Sequence, residues 1–90
     1  MAQIAHKMPR PSTNRDTSAI DKAFEAFDPV VAVRSVLAKT TDSDYWEYAA
    51  FKWANLGKWD EVRAIQSKAP EAAREYIERL IAWRASHDAR

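Results

Sequence analysis

The chain has no cysteine and a single glycine. Without thiols there can be no disulfide scaffold, thiolate metal site or cysteine nucleophile, and a reducing, cytoplasmic setting is expected. One glycine is too few for β architectures, which need turn glycines at short intervals, and it leaves no glycine-rich loop to cradle a phosphate. Histidine is nearly as scarce. His6 lies in the arm and His87 near the C-terminus, and no triad or metal cluster can be built on histidine alone. The expectation is a protein that is not an enzyme, with no catalytic residues, no metal and no cofactor.

Long apolar runs are missing too. None exceeds four residues, as in Val30-Val31-Ala32-Val33, so no membrane span is expected. Residues 1–8 hold no continuous apolar stretch, and Pro9 and Pro11 follow, which argues against an export signal and breaks the amphipathic helix that a mitochondrial presequence needs. Charge of one sign is absent from the body. Residues 1–17 carry Lys7, Arg10 and Arg15 against Asp16, a net +2, while residues 18–90 balance eleven bases against twelve acids. A nearly neutral body offers no broad basic field to a phosphate backbone.

What is present is helical. Roughly half of the residues are apolar and they recur at helical spacing, which marks an all-α fold: a compact bundle of four to five short helices over residues 18–90, behind a flexible basic arm over 1–17. Ser18 and Asp21 have capping-box spacing, and Ile20, Ala23, Phe24 and Phe27 form one stripe of a first helix. Asp28-Pro29 ends it and opens a second, with Val30, Val33, Val36 and Leu37 on one face. The cluster Thr40-Thr41-Asp42-Ser43-Asp44 opens a third, running from about Asp44 to Leu56, and Gly57 closes it. A fourth spans Trp59 to Lys68, with Trp59, Val62, Ile65 and Ala69 on one side. The fifth follows Pro70, carries Ala73, Tyr76, Ile77, Leu80, Ile81 and Arg84 on one face, and is expected to pair Arg74 with Glu78 and Glu75 with Arg79. Asp60 and Glu61 fall on a polar, solvated face. So small a core supplies only about 3–5 kcal/mol of net stability, which leaves room for stabilisation by a partner or by self-association.

Aromatic residues concentrate in the third helix. Tyr45, Trp46, Ala49, Trp53 and Leu56 define one broad face, with Trp46 and Trp53 expected in the core, while Tyr48 and Phe51 point to the other side, beside Lys52 and Asn55. Apolar mass inside a hydrophilic border is how interface cores are composed. Tyr48, Phe51, Lys52 and Asn55 are therefore candidate protein-binding residues, joined by Lys7, Arg10 and Arg15 of the arm. Lys52, Lys58, Arg63 and Lys68 lie along the same hairpin, but acids interleave with them, so nucleic acid is the weaker partner.

Residues 46–69 resemble a single tetratricopeptide-type helical hairpin. Trp46, Ala50, Trp53, Gly57, Trp59, Val62 and Ala69 stand at offsets where that family places large, small, aromatic, Gly, aromatic, small and Ala positions. Gln66 and the early Pro70 depart from the pattern, and there is one unit where arrays need about three. The resemblance implies peptide or protein binding. The functional expectation is a non-catalytic protein–protein interaction module, such as an accessory or assembly subunit of a larger complex, with a homo-oligomer also open. The alternatives are a small inhibitor of phage type that binds a host complex, and a small helical nucleic-acid-binding protein.

Overall fold

A computed structural model of the chain describes residues 8–11 and 15–88. Five helices follow one another: α1 (Ser18–Phe24), α2 (Pro29–Leu37), α3 (Ser43–Asn55), α4 (Trp59–Lys68) and α5 (Glu71–Asp88), with no strand among the described residues. No helix among them is long and apolar enough to cross a membrane.

Local chemistry accounts for the boundaries. Helix α1 starts one residue earlier than a Ser18 cap would place it. Thr17 is the N-cap residue, the Ser18 N–H donates to the Asp16 carboxylate at 3.0 Å, and the Thr17 hydroxyl donates to Asp21 at 3.0 Å. The helix also stops sooner than its apolar stripe suggests. Glu25 and Ala26 close it with tightened bonds to the Lys22 and Ala23 carbonyls, and Asp28, immediately before Pro29, is held out of the helical region at φ −121°, ψ 88°. Phe27 is thereby cut off from the stripe of Ile20, Ala23 and Phe24. Asp28 then caps α2 by accepting from the Val31 N–H at 3.3 Å.

Asp42 caps α3 by accepting from the Asp44 N–H at 3.0 Å, and Gly57 ends the helix at φ +76°. The Lys58 N–H reaches the Trp53 carbonyl at 2.9 Å and the Gly57 N–H reaches Ala54 at 3.0 Å, the two bonds of a Schellman turn. That turn folds α4 back onto α3. Ala69, extended at ψ 154° ahead of Pro70, ends α4, and the Pro70 carbonyl accepts from the Ala73 and Arg74 N–H groups at the start of α5.

Helix α3 is the centre. It packs against α4, α5 and α2, and its Trp53 ring meets Phe24 of α1 at 4.6 Å. Ala49 and Ala50 are completely buried, and these small residues let the neighbouring helices approach closely between the buried rings of Trp46 and Trp53. Ile20, Val33, Leu37, Val62, Ile65, Tyr76, Ile77 and Leu80 are the other large side chains of the core. On α5 the expected ion pairs do not form. Arg74 turns back to donate to the Ala69 carbonyl at 2.8 Å, Arg79 lies 5.8 Å over the Tyr76 ring, and Glu78 accepts from Gln66 of α4. Glu61 is not on a solvated face either: it is a buried acid, for the reason given below.

Candidate functional site

The sequence points first to the outer side of α3. The structure brings most of those residues together, under cover from the chain itself. The Tyr48 hydroxyl donates to Asp21 of α1 at 2.6 Å, and the Lys52 ammonium lies 3.7 Å from the same carboxylate oxygen. These contacts, led by the Tyr48 hydrogen bond, hold the Asp21 carboxyl below its ordinary range. Lys52 also sits 5.5 Å over Phe24 and 5.8 Å over Tyr48. Phe51 is half-buried with the Arg10 guanidinium 5.9 Å above its ring, and exposed Asn55 donates back to the Phe51 carbonyl at 3.0 Å. Arg15 reaches the start of the same helix, 2.9 Å from Asp42 and 3.5 Å from Asp44. Lys7 lies outside the described residues.

The described part of the N-terminal segment therefore contacts the body. Met8 packs against the core, and the phenol of Tyr76, buried in α5, donates to the Pro9 carbonyl at 2.7 Å. Burial pushes that phenol far above the ordinary tyrosine range. The outer side of α3 is a seam between helices and N-terminal segment, with Asn55 at its open edge.

A different surface is open. Helices α2 and α4 flank a groove of about 450 Å³, lined by buried Leu37, Trp46 and Ile65, with exposed Val31 from α2 and exposed Lys68 from α4. Val31 is 59% exposed, and Phe27, just ahead of α2, is fully exposed. Arg34, which lines the groove, forks onto Glu61. Its Nε donates to Oε2 at 2.6 Å and its Nη2 to Oε1 at 2.7 Å, a bidentate clasp between α2 and α4. This partner is why Glu61 tolerates burial, and the carboxylate holds the guanidinium above its ordinary pKa. The Trp46 indole N–H is spent on the Thr40 carbonyl at 3.1 Å, so the ring offers the groove its apolar surface.

Sequence reasoning missed this face by counting Phe27 into the α1 stripe. Asp28-Pro29 marks a stop at Asp28, whereas α1 already ends at Phe24. The pairing of Arg34 with Glu61, 27 residues apart, left no trace in local pattern. Among the described residues, no group of three or more His, Asp or Glu side chains is placed to hold a metal ion. Compared with family models, characterised proteins and solved structures, the chain matches none.

Proposed function

We propose that this chain is a non-catalytic protein–protein interaction module, an accessory or assembly subunit in a cytoplasmic setting, that docks through the α2–α4 groove and the Phe27 turn. One observation carries the reading: a fully exposed phenylalanine stands in the turn that leads directly into α2, whose Val31 lines an open apolar groove. A large aromatic left in water beside exposed Val31 is the kind of apolar patch that marks an interaction surface, and aromatic residues dominate the energetics of such contacts. The polar rim of Ser35, Ser67 and Lys68 suits the border of an interface. The likeness of residues 46–69 to a tetratricopeptide-type hairpin belongs to the same proposal and rests on the turn at Gly57 and the packing of α3 on α4.

The test is affinity capture from native lysate with three baits: the parent chain, Phe27→Ser combined with Val31→Ser, and Asn55→Ala on the open edge of the α3 seam. Loss of the captured partner with the first variant and retention with the second supports the groove face. Loss with Asn55→Ala alone would move the docking surface to α3.

A further inference from the structure

Two complementary surfaces lie side by side on this chain. Glu25, Ala26, Phe27 and Asp28 are all exposed, so the turn between α1 and α2 is an aromatic knob with an acid on either side. One helical turn further on, Val31 begins the wall of the groove, whose lining contains two cations, Arg34 and Lys68, and no carboxylate. Arg34 is already forked onto Glu61, which leaves exposed Lys68 as the rim cation facing solvent. Taking the groove as a docking surface, we propose that its occupant is the Phe27 turn of a second copy of this chain.

Complementarity of shape and charge points to that occupant. A phenyl ring fits a groove of about 450 Å³ lined by Leu37, Trp46 and Ile65, and there it leaves water to contact an indole face and two aliphatic side chains. Glu25 and Asp28 then come to the rim that carries Lys68, acid to base. The turn is pre-shaped, because Asp28 already holds the Val31 N–H at 3.3 Å, so little backbone order is lost on docking. The knob leads directly into α2, which lines the groove, so a two-fold axis near Val31 lets each copy insert its own Phe27 into the other's groove. Such a contact is closed and self-complementary and does not propagate into a fibre. A chain cannot fill its own groove this way, since its Phe27 projects fully into solvent.

Sedimentation velocity of the full chain between about 5 and about 500 µM tests this, a range that brackets the affinities of small interfaces. The expected result is a monomer–dimer equilibrium that Phe27→Ser weakens about thirty-fold or more, while dilute melting temperature stays unchanged. Glu25→Lys and Lys68→Glu should each weaken the dimer, and an equimolar mixture of the two variants should restore association, because positions 25 and 68 then carry opposite charges across both contacts. A monomer at all concentrations, or a dimer indifferent to Phe27→Ser, overturns the proposal. A peptide of residues 23–31, followed by the Trp46 indole N–H resonance, separates the two readings. Its binding to a strictly monomeric chain would keep the groove as a docking face while self-association falls, and failure of both would remove both.

Discussion

Tyr76→Phe isolates the tie between the N-terminal segment and the bundle. The Tyr76 side chain is 2% exposed and its hydroxyl donates to the Pro9 carbonyl at 2.7 Å. Removing that oxygen keeps the ring and its packing and deletes one hydrogen bond that links residues 67 apart in the chain. A bond of this kind contributes about 0.5–1.5 kcal/mol net. For a domain of this size a loss of about 1 kcal/mol lowers the melting temperature by about 4–8 °C. Deleting residues 1–11 removes the acceptor together with the Met8 contact, so the truncated chain should be less stable than the Tyr76→Phe variant. The decisive quantity is the coupling. In the truncated chain Tyr76→Phe should cost nothing further, since the phenol has already lost Pro9. Urea unfolding of the four proteins of this cycle measures it. If Tyr76→Phe costs the same with and without residues 1–11, or if the truncation leaves stability untouched, the segment does not dock as described.

Gly57→Val should destabilise the fold by about 1–2 kcal/mol through its left-handed backbone alone, because nothing lies within 4 Å of the added Cβ; Gly57→Asn should lose less, and urea midpoints rank the two. Tyr48→Phe frees Asp21 from its strongest stabilising contact, so its carboxyl should titrate closer to the ordinary value. A lowered folded pKa gives stability that is present above the unfolded value and lost as pH falls through the folded one. The stability gap between parent and Tyr48→Phe should therefore be full at neutral pH and vanish in acid, as melting curves from pH 7 to pH 2 would reveal. Tyr48→Ser combined with Phe51→Ser should lower the melting temperature, since both rings are half-buried against the chain's own segments; an unchanged melting temperature would mean that the outer side of α3 is a free surface after all. Trp53→Ala should cost about 3–5 kcal/mol, enough to unfold the domain in circular dichroism.

Much of the architecture was legible because the signals were local. Asp28-Pro29, the Asp42 cap, Gly57 and Pro70 each act on the few residues beside them, and the bounds of α2, α3 and α4 follow to within a residue or two. The division of α3 into a core face with Trp46 and Trp53 and an outer face with Tyr48 and Phe51 also followed from helical angles, but Leu56, counted on the core face, lies past the end of the helix and is 63% exposed. What covers the outer face did not. Asp21 reaches Tyr48 across 27 residues, and Arg10 reaches Phe51 from a segment with no apolar periodicity. A stripe reports which side of a helix is apolar and is silent on which element, or which chain, lies against it. Phe27 shows the converse: its spacing fitted the stripe, but the backbone no longer supported the helix there. Glu61 looked solvated beside Asp60 because its partner sits on another helix.

Site-specific photocrosslinking tests the central claim most directly. A benzophenone side chain placed at Phe27, and in a separate protein at Asn55, reports which face meets another polypeptide in native extract. Crosslinked adducts from position 27, with little or none from position 55, are the expected result. Adducts from position 55 with none from position 27 would contradict the account, because the exposed aromatic and its groove would then face only water.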